Sequence, residues 1–305
     1  MSKKDNKITG KRTRKKIAQV ILHILFIAVC ACYILPFMMV ITISLSNSQT
    51  ILSDGFRVWP KDIDFTAYKM IFRNMSRVLQ AYKVTIAFTL LHTILAVCLQ
   101  ATIAYPMTKS YFKMKKALIW FVFFTMLFSA GMVPSYLINT KIWGLGNSFW
   151  AYVLPGAVSA WNVMIIKTFY NALPNELFES AKIDGATELR IFMSIVAPMS
   201  KPCYATIGFL TLVSKWNDWN TTLVYIRDGK LYSLQYMLQN MLRQAEELKK
   251  LMENSASLAA SFEQAASTEP MRFAMALVAG GPVLVIFPWF QKYFTKGMTV
   301  GAVKG

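Results

Sequence analysis

The strongest constraint on this chain is a series of long apolar blocks. Six can be marked, over residues 17–45, 84–108, 117–138, 149–169, 203–214 and 273–290. A helix needs about 20 mostly apolar residues to cross the hydrocarbon of a bilayer, and the first four blocks meet that length. The sixth is slightly short and is interrupted by Gly280, Gly281 and Pro282. The fifth is clean only over 204–213, so it spans only if its helix begins near Pro198 or Pro202, in a first turn where a missing N–H costs nothing. Composition agrees: 55% of residues are hydrophobic and only 16% charged, where a soluble domain carries about 25% charged residues. The reading is an all-α membrane protein with six transmembrane helices. A soluble enzyme, a disordered tail and a disulfide scaffold all fit poorly.

Charge orients the spans. The net charge is +18, from 33 Lys and Arg against 15 Asp and Glu. With six spans and both termini in the cytoplasm, the inside segments 1–16, 109–116, 167–201 and 291–305 hold 19 Lys/Arg and five acids. The outside loops hold 12 Lys/Arg and ten acids. Short basic loops stay inside, so this parity is the favoured one. The first block is longer than a signal-peptide core and lacks a well-placed small-x-small site, so an uncleaved first span is expected. The eight basic residues before it set topology and touch anionic lipid rather than nucleic acid. The organisation expected is a basic N-terminus over 1–16, a six-span domain over 17–290 and a cytoplasmic tail over 291–305. Within the domain, 170–201 is an inside loop and 215–271 an outside loop.

Few groups inside the spans carry chemistry. Cys30, Cys32, Cys98 and Cys203 lie in apolar stretches with no C-x-x-C pair, and read as small apolar residues rather than redox or metal groups. No span holds a chain of carboxylates, which an ion-coupled carrier would need. His23, His92, Gln100 and Asn162 are the strongly polar residues well inside. A relay role for His92 is weighed against a hydrogen bond to a neighbouring helix, and the hydrogen bond is preferred. The tryptophans (Trp143, Trp150, Trp161, Trp216 and Trp219) read as interfacial anchors more readily than as sugar-stacking groups.

The inside loop over 173–198 carries the most information. Glu176, Glu179 and Lys182 recur every three residues, with Leu177, Phe178 and Ala181 as an apolar side, which predicts a short amphipathic helix. Asp184-Gly185 provides a turn, glycine being free to take positive φ. A second helix follows, with Leu189, Phe192, Ile195 and Val196 expected on one side. Such a plate of two helices suits docking against another protein.

This stretch resembles the loop of permeases in ATP-binding-cassette importers. The family pattern is Glu-Ala-Ala, three residues, Gly, nine residues, Ile-x-Leu-Pro. It stands here as Glu179-Ser180-Ala181, three residues, Gly185, nine residues, Ile195-Val196-Ala197-Pro198, with Ser180 for Ala and Ala197 for Leu. Trp216-Asn217-Asp218-Trp219 and the ending over 291–305 are similar to signatures of sugar-importer permeases, the smaller maltose-importer type in particular.

The resemblance implies an importer type I permease fold in the bacterial cytoplasmic membrane. It implies that ATP and Mg are bound by a separate ATPase and no cofactor by this chain. The absence of a G-x-x-x-x-G-K-[ST] loop independently argues that this chain is not the hydrolase. By the same resemblance the loop is a coupling helix. Glu179 would contact a basic residue of the ATPase, Gly185 would make the turn, and Ala181 and Ala186 would allow close approach. Ser180, Asp184, Ile195 and Pro198 complete the set. The implied partners are a second homologous permease, two ATP-binding subunits and an extracytoplasmic solute-binding protein. The outside loop 215–271 would meet that last partner. Leu234, Leu238, Met241, Ala245, Leu248 and Met252 recur by fours and threes, predicting an amphipathic helix of about 20 residues there. Glu253, Ser257 and Phe262, in the segment that follows, are the expected contacts to the binding protein. No cargo, metal or catalytic residue is assigned. An oligosaccharide or complex glycan is the expected cargo. A stand-alone ion-coupled transporter is the alternative, and a membrane enzyme lacks its His/Asp/Glu cluster.

Overall fold

The computed structural model describes residues 3–73, 75–253 and 268–302. Among them the regular structure is helical, apart from one isolated antiparallel bridge between Ser46 and Ile63. In chain order the helices are α1 (Lys3–Ser44), α2 (Ser48–Asp54), α3 (Thr66–Arg73), α4 (Met75–Ala104), α5 (Lys115–Leu127), α6 (Met132–Leu137), α7 (Trp150–Val153) and α8 (Ala160–Asn171). They continue as α9 (Glu176–Ile183), α10 (Glu188–Ile191), α11 (Ala197–Met199), α12 (Lys201–Trp216), α13 (Asn220–Tyr225), α14 (Leu234–Glu253) and α15 (Thr268–Ala302).

Among the described residues three stretches are long and apolar enough to cross a membrane: Gln19–Ser44, Met75–Thr108 and Glu269–Pro288. They correspond to blocks one, two and six. The last is uninterrupted, against expectation: Gly280, Gly281 and Pro282 all lie within α15. Block three is not one helix. Phe128 is extended and Gly131 has φ of 86°, so α5 and Met132–Ile142 meet at 114°. Block four is broken as well. Pro155 has no N–H to continue α7, Gly156 takes φ of 74°, and Ser159 restarts the chain as the N-cap of α8 by accepting from the Asn162 N–H. Block five becomes the 16-residue α12, which opens with Pro202 in its first turn as expected.

The chain forms two compact units. One comprises residues 1–73 with 241–278. Here α1 leaves its apolar side chains exposed from Ile17 to Phe37, a surface for lipid or another chain to cover. Its end is tied down by polar contacts. Thr42 Oγ1 donates to the Val58 carbonyl at 2.8 Å, and Ser44 Oγ meets Tyr68 Oη at 2.9 Å. Asn47 caps α2 by accepting from the Gln49 N–H.

The other unit comprises residues 74–240 with 279–305. Its centre is α4, against which α8 and α12 pack. One apolar cluster joins Ala104 and Met107 to Val163, Ile166, Ile191, Val196 and Ile207. A second joins Phe88 to Tyr152, Leu145 and Ile226, with the Phe88 and Tyr152 rings stacked at 4.3 Å. Trp216, at the end of α12, is buried and donates its indole N–H to the Ala279 carbonyl at 2.9 Å. It therefore serves packing, neither as an interfacial anchor nor as a sugar platform.

Candidate functional site

The loop singled out by its Glu/Gly/Pro spacing folds into two helices around a tight turn. Helix α9 ends in a Schellman motif. The Ala186 N–H reaches the Ala181 carbonyl at 2.9 Å and the Gly185 N–H reaches Lys182 at 3.0 Å. Gly185 carries φ of 76°, the left-handed conformation this cap requires. Ala181 and Ala186 both pack against the chain's own apolar cluster, so their methyl groups seat the turn on the helices beneath. Thr187 then caps α10 by accepting from the Arg190 N–H.

Beyond α10 the backbone widens into a π-turn over Phe192–Val196. Ile191, Phe192, Ile195 and Val196 face the core, while Pro198 is exposed. Leu189 is a correction. It was expected on the buried side, yet it sits at the flank of the inward arc and is 68% exposed. Leu177 is likewise exposed, leaving Phe178 and Ala181 as the inward side of α9. The outer surface carries Glu179, Ser180 and Asp184. Beside them stand Ile183 at 87%, Leu189 at 68% and Met193 at 60% exposure. Glu179 forms no ion pair among the described residues.

A polar cluster holds this knuckle to the end of α4, and the spacing argument missed it. Tyr105 Oη donates to Glu188 Oε2 at 2.7 Å, and Lys182 Nζ lies 3.2 Å from Glu188 Oε1. Lys109 Nζ sits 4.1 Å from the Phe178 ring centroid and 4.6 Å from that of Tyr105. Burial pulls the Lys109 ammonium below the usual lysine range. For Glu188, burial acts to raise its carboxyl, but hydrogen bonds from Tyr111, Tyr105 and Lys182 outweigh it and hold the group below the usual range. Burial, and then the bond to Glu188, pushes Tyr111 up.

A second feature lies where block four breaks. The break strands carbonyls in apolar surroundings, and two side chains of α4 answer them. A ring nitrogen of His92, Nδ1, bonds the Val153 carbonyl at 2.9 Å, and Gln100 Nε2 donates to Ala157 at 2.9 Å. The bond to a neighbouring element, preferred for His92, is what is seen. Between α4, the break and α12 lies a cleft of about 290 Å³ lined by His92, Gln100, Ser159, Asn162, Thr211 and Lys215, among others. Its polar stripe Thr211, Ser214 and Lys215, spaced by three and one, was visible in α12.

Helix α14 covers the 20 residues its periodicity predicts. Glu253 is its last residue, while Ser257 and Phe262 lie outside the described residues.

A long apolar α4, the helices packed on it and a two-helix knuckle fit a membrane protein, and the comparisons name its class. The chain belongs to the family of binding-protein-dependent transport system inner membrane components, which matches residues 10–300. It is 38% identical to protein LplC of Bacillus subtilis (strain 168) over 93% of this chain and 94% of that one. It is 34% identical to the polygalacturonan/rhamnogalacturonan transport system permease protein YtcP of the same organism, over 92% and 95% of the two chains. The fold matches a bacterial ABC transporter involved in the import of the acidic polysaccharide alginate, with a TM-score of 0.77, 24% identity and coverage of 92% and 98%. The protein is thus an inner-membrane ABC permease and a transport component, not a catalytic subunit.

Proposed function

We propose that this permease is half of the membrane pathway of an ATP-driven importer for an oligosaccharide or complex glycan. It works with a second, homologous permease, two ATP-binding subunits that hold ATP and Mg, and an extracytoplasmic solute-binding protein. The observation that carries the reading is the knuckle over 176–198. Its outer surface pairs Glu179, a carboxylate with no ion pair among the described residues, with the exposed Ile183, Leu189 and Met193. An apolar patch with a free charge on a short basic-flanked loop is a docking surface. The ATPase is its occupant. Closure of the ATPase pair moves the knuckle, and α4 and α12 follow because the cluster around Ile191 and Val196 joins them to it. The pathway then alternates between outward- and inward-facing states, a population shift driven by nucleotide.

Six spans complete the pathway, with both termini in the cytoplasm. The bent pair over 115–142 and the broken segment over 150–171 supply the third and fourth, and α12 the fifth. The domain runs over 17–290 between the basic N-terminus 1–16 and the tail 291–305. The outside loop 215–271 meets the binding protein, with Glu253, Ser257 and Phe262 in the segment that reaches it. The cargo class is supported by two of the matches named above, one a polygalacturonan/rhamnogalacturonan transport system permease and the other a transporter involved in the import of the acidic polysaccharide alginate.

The test is reconstitution with the co-purifying subunits. Glu179→Lys is expected to abolish cargo-stimulated ATP hydrolysis while the subunits still co-purify. Full retention of stimulation removes Glu179 from the coupling role, and purification as a lone, active carrier defeats the importer reading.

A further inference from the structure

The cleft beside the broken fourth block holds more uncommitted polar groups than packing requires. Many hydroxyls on helices of this chain bond back to a carbonyl three or four residues earlier, as Thr102, Thr125, Thr140, Thr168 and Thr206 do, whereas those of Thr89 and Thr93 on α4 are buried without a partner among the described residues. Thr211 and Ser214, on the cleft side of α12, make no such bond among the described residues. Among the described residues the side-chain amide of Asn162 is also unengaged, since only its backbone N–H is used, by Ser159. Gln100 is 1% exposed; its Nε2 is committed to Ala157, but its Oε1 is buried with no partner. Asn162 and Thr211 are half-buried and Ser214 is exposed, so of these four it is Gln100 Oε1 that departs from the rule that buried polar groups are satisfied. Irregular backbone at membrane depth is likewise tolerated only where it is packed in protein or lines a polar cavity.

We infer that this cleft is a cargo subsite carried by this permease itself, which binds one hydroxyl-rich sugar ring. The inference rests on the importer reading above. The volume, about 290 Å³, is at the small end of ligand pockets (roughly 300–1,000 Å³), so it takes a ring rather than a chain. The chemistry selects hydroxyls over carboxylates. Amide and hydroxyl groups both donate and accept, as sugar hydroxyls do. Among the described residues no Asp or Glu lines the cleft, and the cation in its lining, Lys215, is already paired with Asp218 at 3.2 Å. An acidic sugar would therefore be held here by its hydroxyls, its carboxylate finding no free cation. His92 and Gln100 also hold the walls apart through their bonds to the broken segment, so the subsite and the helix break are one construction.

The test uses the complete complex in proteoliposomes, with labelled maltotriose and trigalacturonate as probes. Asn162→Leu and the near-isosteric Thr211→Val each remove an unengaged polar group without touching a structural bond. Each is expected to slow uptake of whichever probe the wild type accumulates by about fivefold, and the double variant by more than tenfold, with full recovery of subunits. Thr168→Val, on the same α8 as Asn162 but bonded back to Met164, should leave uptake unchanged. Uptake by the double variant within twofold of wild type overturns the subsite and leaves a cleft that holds water alone. Accumulation of neither probe by the wild-type complex instead sinks the glycan-importer reading, and this subsite with it.

Discussion

Gly185 and Glu188 show how single residues hold the knuckle in place. The left-handed φ of Gly185 is 76°, and no atom lies within 4 Å of a Cβ built there. Alanine would fit sterically but would carry the backbone strain, about 1 kcal/mol for a non-glycine residue in this region. Gly185→Ala should lower the thermal stability of the solubilised protein by that amount, and Gly185→Asn by less. Glu188 sets a pH dependence. Its carboxyl is held below the ordinary value, so the folded state gains from its ionised form. That gain is complete above the unfolded value of about 4.3 and is lost as pH falls through the lower folded value. Glu188→Gln should therefore destabilise by about 1 kcal/mol near neutrality, a figure kept small because the side chain is 40% exposed. Wild-type and variant melting temperatures should converge as pH falls below the unfolded value and through the lower folded one; a gap that does not narrow in acid would exclude this origin.

At the scale of elements, the broken fourth block depends on α4 for its satisfaction. Removing the His92 imidazole strands the Val153 carbonyl in a buried site, since the bond between them is 2.9 Å long. His92→Leu should cost about 1–3 kcal/mol, the penalty of an unpaired buried acceptor, and is read by chemical or thermal unfolding in detergent. A comparable loss is not expected for His23, which is exposed on α1. The breaks themselves were partly legible. Pro155-Gly156 is a strong local breaker, and Gly131 precedes Pro134 by three residues. Hydropathy averaged over 20 residues hides such pairs, so blocks three and four read as continuous. Gly280-Gly281-Pro282 is the converse case, a breaker by composition that lies within one continuous helix. The exposed side of α10 was misjudged at Leu189 for a similar reason. A strict 3.6-residue wheel groups it with Phe192 and Val196, but the inward arc is centred on Ile191, Phe192 and Ile195.

At the scale of the molecule, orientation is the testable consequence of the charge distribution. Cysteines placed in 109–116 and 170–201 should react only with reagents reaching the cytoplasmic side, and those in 46–73 only with reagents outside. Labelling of the two termini from opposite sides would rule out six spans. What the amino-acid sequence determined by itself is the membrane class, the charge asymmetry and the knuckle. Each of these rests on local spacing or on composition: apolar length, basic loops, and Glu179, Gly185 and Pro198 at fixed separations. Tertiary structure alone decided which polar groups are spent and which are left over. Tyr105 and Glu188 are 83 residues apart in the chain, as His92 and Val153 are 61 apart. No periodicity relates such pairs. They meet because α4 packs against the segments that follow it, and the same packing leaves Asn162, Thr211 and Ser214 unengaged by any described residue around one cleft.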